Sequence, residues 1–371
     1  MVIGIDASRA NRDQKTGVEW YSYHLIEKLK KDPQSFGDTF ILYSLNKLKG
    51  NLAQLPENWQ SRQLFWFLKY FWTQIRLAWE ILINSPDLLF VPAHALPVFS
   101  LVKSVMTIHD LGFKKYPQHY SIWQRIYYSF VHWWGTIRAE QIIVPSVFTQ
   151  KELTKLYHLS KDKIKVIPLG YDQENYFIRK DRNEMEAILS HYGVKMPYFL
   201  YVGRLEKKKN IKGLIQAYQQ LTINHQSLII PSLVLIGQPG YGYSEVKNQI
   251  KKNKNIIFLG YVKNQDLAVF YNRAEAFIFP SFYEGFGIPI LEAMACGCPV
   301  LASRVASIPE VGGQADLYFN PQDISEITQS MNKIIKHQDL KKDLIAKGLE
   351  QVKNFSWERC AEKTLKVLLN T

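Results

Sequence analysis

Short, nearly continuous apolar runs alternate with segments of helical period along most of the chain. The first half carries such runs at 2–7, 40–44, 88–92, 104–109, 141–145 and 164–168, and the second half at 198–203, 233–237, 256–260, 276–280 and 299–303. Each is rich in β-branched or aromatic residues and ends at a turn signal, the pattern of a strand buried on both faces. Strands of that kind separated by helices predict parallel sheets covered on both sides. Two such series predict an α/β chain of two doubly wound, Rossmann-like domains. A polar stretch between Gly170 and Lys195 interrupts the alternation and places the expected domains at residues 1–172 and 173–355. Residues 356–371 read as a C-terminal helix with Ser356 as its N-cap, expected to pack back on the first domain.

One stretch departs from the alternation. Residues 64–83 are apolar and aromatic but carry Lys69, Arg76 and Glu80. On a helix these charges fall on one stripe with Thr73 and Asn84, while Phe67, Phe71, Trp72, Ile75 and Trp79 face away. Three charges at such depths exclude a membrane span. The expected structure is a domain helix with its apolar face in the core; the alternative is a helix lying in the headgroup layer of a bilayer.

Composition adds constraints rather than a function. At 371 residues the chain exceeds what one hydrophobic core normally supports, in keeping with two domains. Forty-six Lys and Arg against 33 Asp and Glu give a net charge of +13, which suggests a polyanionic partner. There is no helix-turn-helix, zinc-finger or aromatic RNA-binding pattern, so nucleic acid is not expected. Phosphorylated ligands and an anionic membrane surface remain. Of the three cysteines, Cys296 and Cys298 flank Gly297 in a run of small residues, which reads as buried packing rather than a zinc site. The odd cysteine count and the strand-like N-terminus suggest a reducing, cytoplasmic setting, with a peripheral position at the inner face of the membrane as its extension.

The densest chemistry lies in 279–293, where Glu284-Gly285-Phe286-Gly287-Ile288-Pro289 leads from a strand through a tight turn into a helix containing Glu292. Gly285 and Gly287 are expected to adopt positive φ and let the main chain approach a ligand. Pro289 suits the first helical turn, whose amides and positive dipole end favour a phosphate. Glu284 would repel a phosphate there but can accept hydrogen bonds from two neighbouring sugar hydroxyls, and Glu292 from a ribose. Either glutamate alone would read as a cap or a surface residue; both with this glycine pattern indicate a nucleotide-sugar.

A second group, Gly203-Arg204-Leu205 followed by Lys207, Lys208 and Lys209, ends the first strand of the second series. Ligands of open α/β sheets bind beyond the carboxyl ends of strands, so Arg204 and one lysine are placed to grip a diphosphate. No Asp-x-Asp or other metal-carboxylate cluster accompanies them, and neither metal nor cofactor is expected. Two weaker candidates belong to the first series: His109, after the 104–109 run, and Gly17, at the start of a helix, where its amide would meet a phosphate or an acceptor.

With these residues the chain resembles the retaining glycosyltransferases of family 4, which have the GT-B fold, and among them the bacterial mannosyltransferase-like members. The resemblance rests on Glu284 and Glu292 with seven residues between them, on Gly285-Phe286-Gly287, and on the run Leu291 to Val300. It extends through Gly203-Arg204-Leu205, Lys209-Asn210, Ile167 to Asp172, Pro145-Ser146 and Thr107 to Asp110. It implies two Rossmann-like domains facing each other across a cleft, the nucleotide held mainly by the second. It implies Arg204 and Lys209 on the diphosphate, Glu292 on the ribose, and Glu284 and His109 on the transferred sugar. Gly17, Gly285, Phe286, Gly287 and Ile288 complete the donor site. The expected reaction is metal-independent, retaining transfer of a hexose, mannose first, from a nucleotide-diphosphate sugar to a hydroxyl of a saccharide or lipid-linked acceptor. A nucleotide-sugar epimerase of the same architecture and a non-catalytic binding subunit are the alternatives.

Overall fold

A computed structural model describes residues 1–68, 71–93, 95–224 and 230–371. The chain forms two compact units. Unit 1 comprises Met1–Lys115, Ser121–Gly170 and Ser356–Thr371; unit 2 comprises Tyr116–Tyr120 and Tyr171–Phe355. Each is built on a parallel sheet, so the expected α/β architecture of two Rossmann-like sheets is the observed one.

The sheet of unit 1 has seven strands: β1 (Val2–Asp6), β2 (Thr39–Ser44), β3 (Trp59–Gln63), β4 (Leu88–Val91), β5 (Lys103–Thr107), β6 (Gln141–Val144) and β7 (Ile164–Val166). They lie in the order β3-β2-β1-β4-β5-β6-β7. Chain direction across the sheet therefore reverses between β1 and β4, leaving a crevice at their carboxyl ends. The C-terminal helix Trp357–Leu369 packs against the helix Gly17–Leu29, with Trp357 stacked on His24 at 5.2 Å and Lys28 paired with Glu358 at 2.7 Å.

Unit 2 repeats the plan with β8 (Tyr198–Val202), β9 (Ser232–Ile236), β10 (Ile256–Gly260), β11 (Ala276–Phe279), β12 (Val300–Ser303) and β13 (Asp316–Phe319). The order is β10-β9-β8-β11-β12-β13, and the reversal falls between β8 and β11. Phe199, Tyr201, Leu233, Leu235, Ile278 and Leu301 carry the sheet's side of a core completed by Leu214, Tyr218, Met331 and Ile334 from the covering helices.

The apolar pattern predicts neither β3 nor β13. Both are edge strands, and β3 reads Trp-Gln-Ser-Arg-Gln with only Trp59 buried. An edge strand with one wet face has no continuous apolar run to betray it.

The larger departure concerns residues 64–83. The segment is helical only from Trp72, as a π-helical stretch Trp72–Leu77 that runs into the α-helix Ala78–Ile83; Lys69 lies outside the described residues. Its apolar face does not enter the core: Phe67, Phe71, Ile75 and Trp79 are all exposed, and of the stripe only Trp72 is buried. The charged face turns inward instead. Glu80 accepts from Arg62 at 3.0 Å, from Arg76 at 3.1 Å and from Asn84 at 3.0 Å, so the ion cluster fixes which way the segment faces. No helix among the described residues is long and apolar enough to cross a membrane.

Candidate active site

In unit 2 the two strands that flank the reversal, β8 and β11, deliver the two strongest sequence groups. After β8 the chain turns at Gly203 to an exposed Arg204, which has no carboxylate within ion-pair distance among the described residues. The loop after β9 closes on this turn. A Cβ on Gly237 would lie 2.0 Å from the Gly203 carbonyl oxygen, so only glycine permits the approach.

The three lysines that follow form one 3-10 turn, Lys207–Lys209, and the fold separates their roles. Lys207 pairs with Glu245 at 2.5 Å, and Lys208 lies over the Tyr120 ring at 5.9 Å. Lys209 points to the β11 turn, where its Nζ is 2.5 Å from Glu284 Oε1 and 5.5 Å from the centre of the Phe279 ring. Asn210 ends the lysine turn in the left-handed region (φ 55); its Nδ2 donates to the Pro321 carbonyl at 2.7 Å and its Oδ1 accepts from the Gly213 amide at 3.2 Å. The lysine turn is thereby anchored at its end, and the Phe282 amide, donating to the Lys208 carbonyl at 2.9 Å, ties it to the β11 turn.

Glu284 is buried, and so is its ion pair with Lys209. Two charges taken out of water are stable only when well paired, so each fixes the other's position. Sequence reasoning did not find the residue that holds this turn. Ser307, fully buried, directs its Oγ to the carbonyls of Glu284 at 2.9 Å and Phe286 at 3.0 Å. A serine 23 residues beyond Glu284 gives no signal in the chain.

The positive φ expected of both turn glycines belongs to Gly287 alone (φ 126); Gly285 does not share it. Gly287 caps the helix Ile288–Ala295; Pro289 in its first turn has no N–H and the Ile290 amide donates to the Gly287 carbonyl at 3.0 Å, so the Ile288 amide is the one that opens the helix. Glu292 lies one turn further on. Burial raises its carboxyl to about 7, against the hydrogen bond it accepts from the Tyr271 hydroxyl at 3.1 Å, and the charge of Asp172 raises it further. Arg204, Lys209, the 284–288 turn and Glu292 are thus brought together around the β8 and β11 ends.

The other two candidates belong to unit 1. His109 follows β5, buried, with Nε2 at 3.1 Å from the Pro92 carbonyl at the end of β4 and its ring edge-on to Tyr21 at 4.6 Å. A carbonyl only accepts, so Nε2 carries the proton; burial lowers the imidazole's pKa, and His109 is neutral at physiological pH. Gly17 is the first residue of its helix, with nothing within 4 Å of where a Cβ would stand. The end of that helix already holds a carboxylate. Glu19 closes a capping box on Thr16 and gathers Arg9 at 3.2 Å and Arg12 at 3.3 Å, an arginine pair that the sequence did not single out. Cys296 and Cys298 are buried and unbridged, and no cluster of three metal-ligating side chains occurs among the described residues.

Comparison with known proteins bears on the fold and the family. The family model for glycosyl transferases group 1 matches residues 186–351, and that for Glycosyltransferase Family 4 matches residues 16–175. The chain is 33% identical over 295 residues to the O-antigen chain mannosyltransferase B of Escherichia coli, covering 78% of this chain and 76% of that one. It is 25% identical to the O-antigen chain mannosyltransferase RfbU of Salmonella typhimurium, over 80% of this chain and 77% of the relative. Among solved structures, Anabaena HepE in complex with UDP and glucose superposes with a TM-score of 0.77 at 17% identity, covering 100% of this chain and 99% of that one. The sucrose-phosphate synthase of Thermosynechococcus elongatus gives 0.76 at 20% identity, covering 99% and 98%. Fold and site together define a glycosyltransferase with the GT-B fold. The chain belongs to glycosyltransferase family 4.

Proposed function

We propose that the chain is a retaining mannosyltransferase. It moves mannose from a nucleotide-diphosphate sugar, GDP-mannose ahead of UDP-sugars, to a hydroxyl of a saccharide or lipid-linked acceptor in cell-surface polysaccharide synthesis, at the inner face of the membrane. The observation that carries this reading is the convergence of exposed Arg204, the buried Lys209–Glu284 pair and the Gly287-capped helix at the β8 and β11 ends of one sheet. The mannosyl preference is supported by the names of two relatives that are similar over most of the chain.

Arg204 and the positive end of the Gly287-capped helix neutralise the charge that grows on the departing diphosphate, which is worth most in a water-poor site. Lys209 divides its charge between Glu284 and the phosphate. Glu284, held in place by that lysine, accepts from the sugar hydroxyls and fixes the ring, while Glu292 accepts from the ribose. The bond from the anomeric carbon to the phosphate oxygen breaks with its electron pair going to the phosphate. The acceptor oxygen bonds to the same face of that carbon, and its proton passes to the released phosphate oxygen. No step requires a metal ion or a protein nucleophile.

The test is incubation with a panel of nucleotide-sugars, with and without saccharide and lipid-linked acceptors, scored by release of nucleoside diphosphate. Acceptor-dependent release from GDP-mannose is expected. Acceptor-independent conversion of the nucleotide-sugar would instead identify an epimerase.

A further inference from the structure

We propose that unit 1 docks on an anionic lipid bilayer through one aromatic face built from three elements: the helix Ile122–Arg138, the loop 96–101 and the segment 71–83. The proposal rests on the reading that the acceptor is lipid-linked, and it names the surface and the partner.

The helix Ile122–Arg138 is inside out. Ile122, Trp123, Ile126, Tyr127, Phe130, Trp133 and Ile137 are exposed, Trp123 by 78%, and at helical spacing they form one stripe. The buried side holds Val131, His132, Gly135 and Thr136. This face is not free to turn: a Cβ on Gly135 would lie 2.3 Å from Met106 Sδ on β5, so the helix seats directly on the sheet through its glycine. Segment 71–83 is oriented just as firmly, with Glu80 and its two arginines inward and Phe71, Ile75 and Trp79 outward. Phe71 is held in the left-handed region (φ 67), a strained position for an aromatic residue at the segment's start.

The loop joins the two. Gln74 donates to the Leu96 carbonyl at 3.1 Å and accepts from the Val98 amide at 3.0 Å. From the helix, Trp134 Nε1 donates to the Pro97 carbonyl at 3.3 Å and Arg138 to the Ser100 carbonyl at 2.8 Å. The same loop exposes Phe99 by 69% and Leu101 by 84%.

Charge selects the partner. The three elements carry Arg76, Arg125 and Arg138, with Lys103 just after the loop, against a single acid, Glu80, which is already paired with Arg62 and Arg76. A tryptophan- and tyrosine-rich face with basic residues and almost no acids suits the headgroup layer of an anionic bilayer. A second copy of this chain would present the same cations and repel.

The experiment is co-sedimentation of the full chain with phosphatidylcholine vesicles and with vesicles containing phosphatidylglycerol, at low and high salt, with tryptophan emission recorded. Binding is expected only with the anionic lipid, weakening with salt and accompanied by a blue shift. The triple variant W123S/I126S/W133S is expected to lose at least about tenfold in partitioning with an unchanged melting temperature. I223S, on an exposed apolar residue of unit 2, is expected to bind like the wild type. No binding at low salt, equal binding by the triple variant, or a dimer in solution abolished by it would each overturn the proposal. Transfer to a water-soluble acceptor is measured separately: if it persists without vesicle binding, only the docking face fails. If binding persists without transfer, only the catalytic reading fails.

Discussion

Replacing Glu292 with glutamine separates what the site needs from what the fold prefers. In the folded chain burial lifts this carboxyl to about 7 from an ordinary value of 4.5. Between those values the native state holds a proton that the unfolded chain has lost. Stability therefore falls as pH rises from 4.5 to 7 and stays lower above that. The full difference corresponds to about 3 kcal/mol, and the carboxyl's partial contact with solvent reduces it to about 1–2 kcal/mol. Glu292→Gln removes the ionisation while leaving an amide oxygen for the Tyr271 hydroxyl. In a unit of this size about 1–2 kcal/mol corresponds to a rise of about 3–6 °C in melting temperature. Calorimetry at pH 4 and pH 8 is the assay: the two proteins should melt together at pH 4, and the variant should melt higher at pH 8. The same variant should bind nucleoside diphosphate about tenfold more weakly at pH 8, because a neutral amide accepts less strongly from ribose hydroxyls. Equal melting at both pH values, or unchanged nucleotide affinity, would refute the assignment of Glu292 as a strained carboxylate kept for the ribose.

Further outcomes follow from the same geometry. Lys209→Ala leaves Glu284 buried without its cation and is expected to lower stability by about 3 kcal/mol, measured by denaturant unfolding, and turnover by about 10²–10³-fold in steady-state assays. Glu284→Gln should retain nucleotide affinity by calorimetric titration but lose transfer. Ser307→Ala removes the hydroxyl from the Glu284 and Phe286 carbonyls and should cost about 1–2 kcal/mol in unfolding and a larger share of activity than of nucleotide binding. Asp316, buried beside Gly312 with its carboxyl raised well above the ordinary range, withdraws stability as pH climbs; Asp316→Asn should therefore raise the melting temperature at pH 7 but not at pH 3.

Strands buried on both faces were legible because their apolar runs are unbroken, and β8 and β11 were placed together with the chemistry at their ends. Of the four edge strands, β7 and β10 keep an apolar run and were legible, but β3 presents Gln60, Ser61 and Gln63 to solvent and looks like a loop in the sequence. Within the site, the lysine run and the glutamate turn were each visible. Their pairing across 75 residues depends on the Phe282–Lys208 backbone bond, which no local pattern encodes. Periodicity also located the stripes of segment 64–83 but not their direction. An amphipathic pattern fixes two faces without saying which meets the core, and here Arg62, from another element, decided it by pairing with Glu80.

The central claim is retaining mannosyl transfer, and the anomeric configuration of the product tests it most directly. With GDP-mannose, whose sugar is α-linked, and a saccharide acceptor, nuclear magnetic resonance of the product should show an α-mannosidic linkage, formed by the wild type and lost in Arg204→Ala. A β-linkage, or α-product formed equally well without Arg204, would contradict it.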